Sequence, residues 1–137
     1  MSNWVVEAQI TVYSRAKGIL LSELSDKYED ILITEEDSSL TDARFPTVYI
    51  SFVSAYERGQ TIDGTTINAI ELTAEVHVLV TNEQGISVNR EVAWTVVEAF
   101  KSMGFTATMP NTAISNIDGV YESVSRFSRV IGQGDVI

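Results

Sequence analysis

The stretch from Ile70 to Val80 constrains the fold of this chain most. Ile70, Leu72, Ala74, Val76, Val78 and Val80 share one parity, and Glu71, Thr73, Glu75, His77, Leu79 and Thr81 share the other. Side chains of an extended strand point alternately to opposite faces, so this pattern predicts a strand with one face on a core. At about 3.3 Å per residue it spans roughly 36 Å, longer than most strands. Its polar parity carries two carboxylates and the only histidine of the chain.

The segments on either side build a hairpin and a helix around it. Phe45-Pro46 opens an earlier strand, where a proline sacrifices no central ladder bond. Val48, Ile50 and Phe52 lie on one face of that strand and Tyr49, Ser51 and Val53 on the other, and it runs to about Glu57. The connection over 58–65 contains Asp63-Gly64, a turn signal, so the two strands pair antiparallel. After the Asn82–Gly85 break, Ser87 or Asn89 is placed to cap a helix. Val88, Val92, Ala93, Val96, Ala99, Phe100 and Met103 form its apolar stripe, the pattern of a helix laid on a sheet. Gly104 follows where a left-handed residue closes helices. Trp94 reads as core or interface rather than as a ligand platform.

The ends of the chain complete the pattern. Residues 3–28 read as a helix through Val6, Ile10, Tyr13, Leu20, Leu24 and Tyr28, with Lys17 interrupting the row and Asn3 as its cap. Val6, Ala8, Ile10 and Val12 also alternate, but the helical spacing continues past Gly18. Residues 31–35 read as a short strand and 36–44 as an exposed loop. In that loop Glu35-Glu36-Asp37 lacks the spaced ligands and turn glycine of a calcium loop. Phe105–Met109 reads as a strand that Pro110-Asn111 breaks, and Asp118-Gly119 as a turn. The last strand, Val120–Ile131, has Val120, Val124 and Val130 on one parity and Tyr121, Phe127 and Ile131 on the other. Apolar groups on both faces imply burial on both sides, a bulge or an intermolecular contact. The tail over 132–137 reads as loose. The expected fold is a single α+β domain over residues 1–137, in the order α-β-β-β-α-β-β. Its sheet is mainly antiparallel, two hairpins plus a short strand, packed by two helices.

Bulk composition narrows function by exclusion. A chain of 137 residues with 45% hydrophobic content can bury its own core. With no cysteine there is no disulfide framework, thiol nucleophile or thiolate metal site. No apolar run reaches the roughly 18 residues of a membrane span, and the N-terminus lacks the pattern of a signal peptide. The 19 acidic and 9 basic residues leave a net charge of −10, which argues against gripping duplex DNA through its phosphates.

Motifs for chemistry are absent. One histidine makes no zinc site, which takes three or four ligands. No serine lies in a nucleophile-elbow context. Glu71 and Glu75 would stand about 13–14 Å apart on one strand, beyond the roughly 5–9.5 Å of paired glycosidase carboxylates. Gly132-Gln133-Gly134 lacks the helix and spacing of a dinucleotide loop. Arg126 and Arg129 are too sparse for a nucleic-acid stripe. No catalytic, cofactor or metal residue is expected.

The C-terminal third carries a family likeness. Met103-Gly104-Phe105-Thr106-Ala107-Thr108-Met109-Pro110-Asn111, followed by Val120-Tyr121 and Arg126-Phe127-Ser128-Arg129-Val130, resembles the tail completion or tail terminator proteins of long-tailed bacteriophages. Phe45-Pro46-Thr47-Val48-Tyr49-Ile50 is similar to their earlier strand opening, and the element order agrees along nearly the whole chain. Two positions depart from the family's pattern: Ala107 stands where a basic residue is common, and Glu122 follows Tyr121 where arginine is common. Contacts made by those basic residues are not expected here.

The resemblance implies a structural virion protein at the head-proximal end of the tail, made in the bacterial cytoplasm. It implies a small α/β fold that forms a homo-hexameric ring. Its partners are then further copies of itself, the tail tube protein whose polymerisation it ends, and the head–tail connector, with DNA passing through unbound. A head-completion or neck connector protein is the alternative in the same class, and a small hydrolase using His77 with Glu75, or an acidic binding module, in others. Excess strand length and two-sided apolarity make the Phe45–Thr81 hairpin and the last strand the expected assembly surfaces. Phe45, Tyr49, Tyr121, Arg126, Phe127 and Arg129 are the residues singled out.

Overall fold

A computed structural model describes residues 3–35, 44–60 and 67–137. Helix α1 (Trp4–Leu24) is followed by strands β1 (Leu32–Thr34), β2 (Thr47–Gln60) and β3 (Ile67–Thr81). Then come helix α2 (Gly85–Ser102) and strands β4 (Thr106–Ile117) and β5 (Val120–Gly132). The element order is the expected one, and the fold is α+β. The sheet is five-stranded in the order β1-β2-β3-β5-β4. All neighbours pair antiparallel except β1 and β2, which are parallel. The loop expected over 36–44 and the Asp63-Gly64 turn lie outside the described residues, apart from Arg44.

The alternation of β3 is realised without exception. Ile70, Leu72, Ala74, Val76, Val78 and Val80 are all buried, and they meet Val92, Val96, Phe100 and Met103 of the α2 segment in one core. Residues of α1 join the same core, so both helices cover the same face of the sheet.

Helix α1 is shorter than the expected 3–28, and of the expected row Leu20 and Leu24 are buried and Tyr13 packs on the core, but Val6 and Ile10 do neither. Asn3 caps it as expected, its Oδ1 accepting from the Val5 and Val6 amides. The buried row is Ala8, Val12, Ala16, Leu20 and Leu24, whereas Val6 is exposed and Ile10 is 57% exposed. A strict four-residue step places these five on one side of the helix, and the two alanines let it lie close. Beyond its end, Tyr28 donates to Glu91 Oε2 (3.0 Å) and Lys27 Nζ lies 2.6 Å from Glu91 Oε1, tying the connection to α2.

Helix α2 begins earlier than Ser87 or Asn89. Thr81 Oγ1 accepts from the Gln84 amide, and Gln84 Oε1 accepts from the Thr81 amide, both at 3.2 Å. This reciprocal T-x-x-Q pair closes the turn ahead of the helix, whose own N-cap, Gln84, makes no side-chain bond to the first helical turn. At the other end Gly104, at φ +82°, donates to the Lys101 carbonyl, and Phe105 N donates to the Phe100 carbonyl. Gly104 therefore closes the helix as expected, in a Schellman arrangement.

Two strand boundaries and the C-terminal tail are corrected. β2 continues through Arg58, Gly59 and Gln60 rather than ending near Glu57. β4 does not stop at Pro110 but runs to Ile117. It is the edge strand, where a proline costs no central ladder bond, and irregularities at Ala107/Met109, Met109/Thr112 and Ala113/Ser115 absorb the misfit. The C-terminal residues are not loose: Asp135 Oδ2 accepts from the Gly132 amide (2.7 Å), and Ile137 packs against the core.

Candidate functional site

The polar parity of β3 faces away from both helices, and its ladder partners place neighbours beside it. The pairing sets Tyr49 and Val124 beside His77, and Ser51 and Arg126 beside Glu75. His77 Nδ1 lies 2.7 Å from Glu122 Oε2 and Nε2 lies 2.6 Å from Glu75 Oε1. Each ring nitrogen therefore has a carboxylate oxygen within hydrogen-bond distance, the two carboxylates coming from different strands. The Tyr49 ring lies 5.5 Å from the His77 ring, tilted by 36°. Arg126 donates to Glu75 Oε2 from Nε at 2.9 Å, with its Nη2 at 2.7 Å. Ser115 on β4 donates to Glu122 Oε1 at 3.4 Å.

Opposing effects act on the Glu75 carboxyl. Burial pushes it up, but hydrogen bonds from His77 and Arg126, with their charges, hold it below the ordinary carboxylate range. The cluster is a cross-strand polar network spanning β3, β5 and β4. Both ring nitrogens of His77 are engaged by carboxylates of this chain. Among the described residues no group of three or more His, Asp or Glu is placed to hold a metal ion. No described helix is long and apolar enough to cross a membrane.

The residues singled out from sequence fall into separate environments. Tyr49 and Arg126 join the outer-face network. Phe45 is half-buried, and its carbonyl accepts from Gln84 Nε2 at 3.2 Å. Tyr121 packs half-buried against the core, opposite Val80. Phe127 is 0% exposed, stacked on Phe100, so its side chain is not at the surface of this chain. Arg129 reaches the end of α2, where Nη1 donates to the Met103 carbonyl at 2.7 Å. Trp94 is 63% exposed and contributes to no core.

Two features escaped the sequence reading. Asn89 is buried, with Nδ2 donating to Ser123 Oγ (2.9 Å) and the Val78 carbonyl (3.3 Å), while its Oδ1 accepts from Asn111 Nδ2 (3.3 Å). An asparagine seven residues after Asn82, on the apolar side of a helix, is the only sequence trace of that node. The second is β4, twelve residues long with nearly every side chain exposed. Both parities of the strand are open, so it lies on no core of this chain.

No protein-family model matches the sequence, and no curated protein matches it.

Proposed function

We propose that this chain is a structural virion protein that assembles into a ring, hexameric by the family likeness. In that role it caps the tail tube, ends polymerisation of the tube protein and offers a joining surface to the head connector. The observation that carries the reading is the one-sided architecture. Both helices cover one face of the sheet, and the uncovered sheet ends in a long edge strand that no core of the chain uses. A ring closes through a heterologous interface, for which two different edges of one sheet are suited. The order α-β-β-β-α-β-β, taken from the likeness and the periodicities together, agrees with the reading. The net charge of −10 fits a ring through which DNA moves without being held.

The test is polymerisation of the tail tube protein of the same phage with and without this chain, followed by electron microscopy. The expected result is shorter tubes bearing a six-fold ring at one end. Tubes of unchanged length with no density at their ends would overturn the reading. Binding to the head portal alone would instead favour a neck connector.

A further inference from the structure

We propose that neighbouring copies join strand to strand, the β4 edge of one copy pairing antiparallel with the β2 edge of the next. This rests on the ring reading and adds the surfaces that close it.

The sheet exposes two different edges. At one end β4 has, among the described residues, β5 as its only strand partner. At the other end β1 pairs with Thr47, Val48 and Tyr49, and among the described residues no strand pairs with that side of β2 beyond Tyr49, the opposite side being taken by β3. Directions are compatible. β2 and β5 run one way, β3 and β4 the other. A copy rotated about an axis along the strands keeps its directions, so its β2 meets β4 antiparallel.

Heights are compatible too. Through the ladders Ser54, Thr73, Ser128 and Thr106 lie in one row across β2, β3, β5 and β4. In that row Thr73 Oγ1 and Ser128 Oγ are 2.8 Å apart. Extending the row past Thr106 brings it to Ser54 of the next copy. The next row, Ser51–Glu75–Arg126–Met109, meets β2 where β1 no longer covers it. Below that level β1 stands in the way, and there the irregularities of β4 from Met109 to Ser115 can bend it aside.

Charge selects the occupant. An exposed strand edge is ordinarily guarded by charged side chains, above all lysine. In a chain of net charge −10, residues 102–117 carry no charge at all, and neither do residues 47–56 of β2. Two copies can bring these strips together without setting carboxylates against one another.

The absence of cysteine makes the test clean. Paired residues on antiparallel strands have Cα atoms about 4.5–5.5 Å apart, within disulfide reach. The double variant Ser54→Cys/Thr106→Cys, oxidised in the assembled state with tube protein present, is expected to give a ladder of covalent oligomers. Each single variant should stay monomeric on the same denaturing gel. In parallel, Thr108→Lys is expected to abolish assembly with an unchanged melting temperature. Covalent dimers from Thr106→Cys alone would mean that β4 pairs with itself, and would overturn the proposal. Rings that form without cross-linking, or that tolerate Thr108→Lys, would overturn the junction and leave the ring reading standing. Failure to assemble under any condition, tube protein included, would sink both.

Discussion

Phe127 stacks on Phe100 with ring centroids 4.8 Å apart and planes 8° from parallel, and neither side chain is exposed. Phe105 closes the group edge-on against Phe100 at 5.2 Å. The pair joins the last strand to α2, so Phe127 acts on folding. Phe127→Ala is expected to cost about 3–5 kcal/mol, the usual range for emptying an aromatic core site. Chemical denaturation measures it. The milder Phe127→Leu should leave the folded protein able to assemble as the wild type does. A Phe127→Leu protein of normal stability that cannot assemble would show that the ring acts at an interface after all.

Arg129 presents a second case of a last-strand residue turned inward. It lies opposite Leu72 in the ladder, on the core parity, yet its guanidinium reaches back to the Met103 carbonyl and, at 3.4 Å, to that of Val136. A cation there meets the negative end of the helix dipole and ties down the C-terminal residues. Arg129→Ala is expected to lower stability by about 1.5–3 kcal/mol, the range for a hydrogen bond to a charged group. The tail after Gly132 should become more sensitive to protease. A variant with unchanged midpoint and unchanged cleavage would remove the clamp.

The parts of this fold legible in the sequence are those where one face is uniformly apolar. β3 alternates without a lapse, and α2 carries a stripe wide enough to read, so their packing follows from pattern alone. On α1 the pattern finds Leu20 and Leu24 but takes Val6 and Ile10 for the buried Ala8, Val12 and Ala16, because alanine weighs little in such patterns. β4 was cut short because Pro110 reads as a break unless the strand is known to lie at an edge. The outer-face network was illegible for a topological reason. Glu122 is 45 residues from His77, and β5 inserts between β3 and β4 rather than following chain order. Burial of Ser123 and Ser125, opposite Val78 and Val76, is likewise a property of strand order.

Asn89 is a polar side chain held in the core, 1% exposed. Its amide joins α2 to β3, to Ser123 on β5 and to Asn111 on β4, beside Pro110. Replacement by leucine removes these bonds and strands the Ser123 hydroxyl in the core. A buried polar group left without its partner costs about 1–3 kcal/mol. Asn89→Leu should therefore be less stable than wild type despite its greater hydrophobicity, and hydrogen exchange should rise first in β4. Asn89→Leu/Ser123→Ala should recover part of the loss, because the orphaned hydroxyl is gone. No recovery in that double-mutant comparison would count against the node as described.

The Glu75 network sets the acid limb of stability. Its folded-state carboxyl lies below the unfolded value, since His77 and Arg126 together outweigh the effect of burial. A depressed carboxyl contributes stability that is fully present above the unfolded value and disappears as pH falls through the folded one. With an ordinary glutamate near about 4.3, wild-type stability should decline as pH drops below that value. Glu75→Gln loses the charge at every pH. It should therefore be less stable than wild type at pH near 7, and the gap should narrow as the solution is acidified toward pH 3. Glu91, held low by Lys27 and Tyr28, adds to the wild-type decline in the same direction, but it is common to both proteins and cancels in the difference. Denaturation midpoints of the two proteins across that range decide the matter. Parallel curves with a constant offset would mean that Glu75 contributes through packing alone.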